Sequence, residues 1–198
     1  MSSRDTIRSA KRPGPSPSLD IDRILASALR LLDRDGAKAF NMRGLAAELG
    51  VSPMTIYNYV PTKAALVTLV VDRVLATIGA PSPKATAWDD ELRRYALEAW
   101  AAQAPHPWIP IMLAEEHLVE GPHAADSRRA LIELFRAAGA DAATSKEAVA
   151  AFFSFMIGSF MQVRLTSKAA VPERAHVLFH SGIDFLIDGF RTRLDRTS

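Results

Sequence analysis

The stretch from Asn41 to Val60, NMRGLAAELGVSPMTIYNYV, admits few structures. Leu45, Ala46 and Leu49 recur at a three-to-four residue spacing, so they share one face of a short helix. Gly50 can supply the left-handed conformation that ends that helix and lets another begin at a steep angle. Ser52 is placed to cap the second helix, and Pro53 suits its first turn, where an N–H would have no intrahelical partner. With Val51 and Ile56 turned inward, Pro53, Met54, Thr55, Tyr57 and Asn58 face outward. The spacing predicts a helix-turn-helix whose second helix fits a DNA major groove.

The flanks extend this unit. Asp20 can cap a first helix running to about Asp35, with Asp22 in its first turn, Gly36 at its end and a stripe of Ile24, Leu25, Ala28, Leu31 and Leu32. Phe40 closes a small core and Asn41 caps the next helix. A further helix begins near Pro61 and offers Leu66, Leu69, Val70, Val74 and Ile78 for burial. That is more apolar surface than three short helices need, so it also packs against something later in the chain.

Charge follows the same division. Residues 1–80 hold 11 basic against 7 acidic side chains, a balance of +4; the remainder holds 24 − 11 = 13 basic against 22 − 7 = 15 acidic, or −2. The positive field therefore accompanies the helix-turn-helix, as a polyanion binder requires. Residues 1–18 combine Arg4, Arg8, Lys11 and Arg12 with a proline and serine run that has little to bury, and are expected to form a flexible basic arm, either an inert tail or one whose Arg8, Lys11 and Arg12 lie along phosphates or in the minor groove.

The segment 80–88, APSPKATAW, is the best boundary. It leaves 19–80 as the DNA-binding unit and 81–198 as a larger helical one, with helices expected near 87–104, 107–118, 123–138, 144–167 and 173–195. No segment alternates like a strand, so the fold class is all-α. The helix from Ser145 to Leu165 is apolar nearly all round, but Ser154, Ser159, Gln162 and Arg164 disfavour a membrane span and point to burial. It and the last helix, where Gly182 and Gly189 permit close approach, carry more apolar surface than one subunit covers. A symmetric pair of each would make a four-helix dimer interface, with Ile187 among its contacts.

The run from Ser18 to Leu75, above all MRGLAAELGVSPMTIYNYVPTKAALV, closely resembles the TetR family of bacterial transcriptional regulators. HPWIP, AVAAFFSFMIGSF and FLIDGFRTRL resemble more loosely the ligand-binding and dimerisation domain of the branch nearest the tetracycline repressors. The resemblance implies that Arg43 reads a guanine, that Thr55 and Tyr57 contact backbone or bases, and that Lys63 anchors a phosphate. Ser52, Pro53, Met54, Asn58 and Tyr59 complete the expected DNA surface. Gly44 departs from the family pattern, where a better helix former is usual, and Tyr59 stands where histidine is common.

A cavity in the C-terminal half is also implied. The residues expected around a mostly apolar, neutral or weakly polar ligand are Trp100, Gln103, His106, Trp108 and Met112 on one side, with Phe152, Phe155, Met156 and Gln162 on the other. Glu173, His176 and His180 share a helix face, but surface and interface roles suit them better than a metal. There is no cysteine, hence no disulfide or thiolate chemistry. No phosphate-binding loop, dinucleotide fingerprint or nucleophile elbow occurs. The expectation is a cytoplasmic, non-enzymatic, cofactor-free homodimeric regulator whose partners are a double-stranded DNA operator and a small molecule. The alternative is a helical small-molecule-binding or interaction protein without DNA binding, against which the outward Thr55 and Tyr57 argue.

Overall fold

The computed structural model describes residues 19–115, 120–166 and 172–195, with side chains left undescribed at 113–115 and 163–166; the basic arm expected at 1–18 lies outside them. Among the described residues the secondary structure is α-helical, without strands.

The first four helices form where local chemistry starts and stops them. α1 (Ile21–Asp35) is capped by Asp20, whose carboxylate accepts from Arg23 N–H at 2.8 Å, and it ends at Gly36 with φ 78°. α2 (Met42–Leu49) is capped by Asn41, which accepts from Gly44 N–H at 2.9 Å. Gly50 closes it with φ 69° and ψ 30°, the left-handed conformation that a side chain would disfavour. α3 (Pro53–Tyr57) is one short turn-and-a-half whose cap, Ser52 Oγ, accepts from Thr55 N–H at 3.2 Å. α4 (Lys63–Leu75) starts slightly later than the sequence suggests, because Thr62 rather than Pro61 governs its entry and accepts from Ala65 N–H at 3.0 Å.

α5 (Trp88–Gln103), α6 (Ile109–Glu115), α7 (Pro122–Ala137), α8 (Ala142–Thr166) and α9 (Glu173–Asp195) follow. Their packing divides the interior into two clusters. One joins Leu92, Tyr95 and Trp100 of α5 to Leu131 and Phe135 of α7, Phe152 and Met156 of α8, and Phe179, Ile183 and Ile187 of α9. The other contains the buried stripes of α1 to α4, and it also takes in Trp108 and the α6 residues Ile109 and Met112. The N-terminal core is therefore completed by side chains from beyond the linker.

That placement corrects one expectation. Trp108 and Met112 do not face Phe152 and Met156 across a pocket: they are 2% and 1% exposed in the N-terminal cluster. The indole Nε1–H of Trp108 donates to Asp33 Oδ1 on α1 at 2.7 Å, and His106 Nδ1 lies 2.7 Å from the same oxygen. A buried indole needs such a partner, and α1 supplies it.

Ile187 is a second correction. It is fully buried within its own subunit, so it is not available to a partner surface. Gly182 lies against Phe155, where a β-carbon would come within 2.6 Å of the ring, whereas Gly189 faces open space. The close approach anticipated for these glycines is thus real at one of them, and it joins α9 to α8 of the same chain.

Candidate nucleic-acid interface and ligand cavity

α3 owes its pose to Ile56, which is fully buried, and to the caps at both its ends. The remaining side chains of that segment look out. Met54 is 69% exposed, Tyr57, Asn58 and Tyr59 are exposed, and Pro53 and Thr55 are half-buried. Ser52 Oγ and Thr55 Oγ1 lie 2.9 Å apart, which orients both hydroxyls at the helix start. The Tyr59 hydroxyl donates to the Leu19 carbonyl at 2.7 Å. This tyrosine consequently fixes the approach to α1 beside the end of α3, a role that its place in the sequence does not suggest.

The cations of the N-terminal unit differ in their surroundings. Arg34 is bound to Asp35 and reaches Glu48, and Arg73 pairs with Asp22 at 2.6 Å. Arg43 is exposed on α2 with no side-chain partner among the described residues. Lys63 is half-buried at the first turn of α4. Arg43 therefore keeps its guanidinium fork available for an external acceptor. Gly44 has ordinary space around it, with the Asn41 side chain 3.6 Å from where a β-carbon would stand.

A cavity of about 610 Å³ lies behind this unit, between α4, α5, α7 and α8. Thr68, Val71, Asp72 and Leu75 form its α4 wall, and Tyr95, Ala99 and Gln103 its α5 wall. Three of the sequence candidates, Gln103, Phe152 and Met156, line it together. Trp100, Phe155 and Gln162 line a separate space of about 420 Å³ beside α9, and His106, Trp108 and Met112 line neither. Trp100 is held by stacking: its ring centroid is 4.7 Å from that of Phe160 and 4.1 Å from that of Phe179, while its Nε1–H donates to His176 Nδ1 at 2.8 Å. Nδ1 of His176 is thereby an acceptor, which puts the neutral ring's proton on Nε2. No cluster of three or more metal-ligating side chains occurs among the described residues.

The polar groups of the 610 Å³ cavity are mostly engaged. Burial pushes the Tyr95 hydroxyl above its ordinary pKa of 10.0, while its bond to Ser127 and the charge of Arg94 oppose that. Asp72 is buried, and its Oδ1 accepts from His123 N–H at 3.0 Å and Ala124 N–H at 3.2 Å. It thus caps the N-terminus of α7 from α4, where orphan N–H groups and the helix dipole favour a carboxylate. Sequence patterning does not single this residue out as functional; an aspartate within the apolar run LVVDRVL is the available signal.

The outer face of α9 carries isolated apolar side chains: Val177 and Leu178 are roughly half exposed and Phe185 is 77% exposed. No helix among the described residues is long and apolar enough to cross a membrane.

With this geometry in place, residues 24–70 match the family of bacterial regulatory proteins of the tetR type. The HTH-type transcriptional repressor DrrR1 of Streptomyces coeruleorubidus is 35% identical over 136 residues, covering 68% of this chain and 50% of that protein. The chain thus spans about half the length of that relative. The tetracycline repressor protein class E of Escherichia coli is 26% identical over 201 residues, covering 89% of this chain and 93% of the repressor. The Streptomyces coelicolor TetR family protein ActR, solved in complex with (S)-DNPA, superposes with a TM-score of 0.77 at 21% identity, over 92% of this chain and all of ActR. At that identity the last likeness speaks to fold. An all-α architecture with an N-terminal helix-turn-helix is the class these observations define. The chain belongs to the TetR family of bacterial regulatory proteins.

Proposed function

We propose that the chain is a ligand-responsive, DNA-binding transcriptional regulator, a repressor released from a palindromic operator by a small molecule. The carrying observation is that α4 belongs to two places at once. Its buried stripe completes the helix-turn-helix core, and its Thr68, Val71, Asp72 and Leu75 wall the 610 Å³ cavity. A ligand in that cavity touches the same helix that supports α3. The names of the relatives support the reading, since one is a transcriptional repressor and ActR was solved with a small molecule.

DNA contact falls to the expected surface: Arg43 toward a base, Thr55 and Tyr57 toward bases or backbone, Lys63 toward a phosphate, with Ser52, Pro53, Met54, Asn58 and Tyr59 around them. A homodimer formed through α8 and α9 presents two copies of α3, and these must stand about 34–36 Å apart to enter successive major grooves. The exposed Phe185, Val177 and Leu178 support that face as the contact. A molecule that binds better to an arrangement with another spacing draws the population away from DNA by its differential affinity. The activity is binding without catalysis, exercised in the cytoplasm where the DNA is.

The test is fluorescence anisotropy against labelled fragments of the surrounding genome. A specific fragment should be retained at low salt and lost steeply as salt rises, because basic contacts release condensed counterions. Absence of any specific fragment at low salt would overturn the proposal.

A further inference from the structure

The wall of the 610 Å³ cavity combines a long apolar face with a few ionised side chains. Along α8, Lys146, Val149, Ala150, Phe153, Ile157 and Phe160 all line it. Their spacing of three and four residues is one continuous helical face. That face is apolar except at its beginning, where Lys146 stands nearest the turn between α7 and α8. From Lys146 to Phe160 it extends roughly 20 Å at the α-helical rise.

Every other ionised group on the wall is already matched. Arg128 is bound to Glu120, with its Nε at 2.8 Å from Oε1. Asp72 is committed to the backbone N–H groups that open α7. Lys146 is exposed and has no side-chain partner among the described residues, so it is the one unmatched charge on the wall there. Next to it, Val149 is buried and Ala150 and Phe153 continue the apolar surface. An ammonium at the end of an apolar track is complementary to a molecule with one acidic group at the end of an apolar or aromatic body.

We infer that the cavity takes amphipathic monoanions, with the acid group at Lys146 and the apolar body along the Val149 to Phe160 face; this rests on the cavity being the effector site. It replaces the neutral or weakly polar ligand that the sequence suggests. Of Gln103, His106 and Gln162, the orienting polar groups expected from sequence, only Gln103 is on this wall.

Two fluorescent probes of one scaffold test it: 1-anilinonaphthalene-8-sulfonate, which carries an anionic group, and N-phenyl-1-naphthylamine, which lacks it. Full-length wild type, Lys146→Gln, Lys146→Arg and the cavity-filling Ala150→Trp are titrated with each, and circular dichroism checks that all four are folded. Wild type should prefer the sulfonate. Lys146→Gln should weaken the sulfonate roughly fivefold, leave the neutral probe unchanged, and be rescued by Lys146→Arg, as a partly exposed ion pair implies. If Ala150→Trp abolishes both probes while Lys146→Gln changes neither, the cavity stands and the charge selection is overturned. If Ala150→Trp leaves both probes bound as before, the probes sit elsewhere, and the cavity reading falls together with this inference.

Discussion

The carboxylate of Asp72 fills the space that a side chain on Gly121 would need: a β-carbon at residue 121 would lie 2.7 Å from Asp72 Cβ and nearer still to the carboxyl atoms. Gly121 has an ordinary φ of −74°, so the constraint is room, not backbone conformation. Gly121→Ala should therefore destabilise the protein by about 1–3 kcal/mol, the usual range for overpacking. Asp72→Ala should also cost about 1–3 kcal/mol by leaving the His123 and Ala124 N–H groups without their acceptor. The two losses should be far from additive, because removing the carboxylate makes room at residue 121. Urea denaturation of the two single variants and the double variant measures this, and simple additivity would refute the coupling.

Arg43 and Lys63 are expected to fail in different ways. Arg43→Ala should cost about 1–3 kcal/mol at one base pair and relax the preference there. Lys63→Ala should weaken all sequences alike and reduce the salt slope by about one phosphate's worth. Anisotropy against a panel of single-base operator variants separates the two, and matching profiles would erase the division of labour.

The outer face of α9 gives a paired test of assembly. Phe185 is 77% exposed in one subunit, so Phe185→Asp should yield a folded monomer by sedimentation and circular dichroism. Ile187 is fully buried in the same helix, so Ile187→Asp should unfold the subunit, an unpaired buried charge costing several kcal/mol. A Phe185→Asp protein that still sediments as a dimer would move the interface elsewhere.

Acid should loosen the packing of α5. Arg191 of α9, bound to Asp89, holds that carboxyl below its ordinary value of 3.8. Arg94 does the same for Glu91 against 4.5. Because both folded-state values lie below the unfolded ones, the stabilisation is complete above the unfolded values and is lost as pH falls through the folded ones. Melting temperature should drop on going from pH 5 toward pH 3, and Asp89→Asn should lower it at pH 7 while flattening that slope. An unchanged slope would show that the α5 to α9 contact is not the acid-sensitive one.

Much of the N-terminal unit is legible in the sequence because its instructions are local. Asp20, Asn41 and Ser52 cap helices within three residues of themselves, and Gly50 bends the chain where it stands. The position of Trp108 is not legible in the same way, since its partner Asp33 is 75 residues away. α8 poses a different difficulty. A helix apolar on every side announces burial but not which stripe meets which neighbour: Phe152 and Met156 line the larger cavity while Phe155, one step round, does not. Lys146 escapes notice because a lysine near the start of a helix reads as solvated, although its three-and-four spacing from Val149 to Phe160 is there to be read.

The anchorage of Trp108 against Asp33 bears on how such a protein can be taken apart. A fragment cut at the linker would carry its recognition helix but leave a hollow where Trp108, Ile109 and Met112 had been. Grafting this head onto another member's body would succeed only if the donor α6 travelled with it or the recipient offered an equivalent plug. Heads and bodies would then be inherited as matched sets, with the graft line running around α6 instead of through the proline-rich loop before α5.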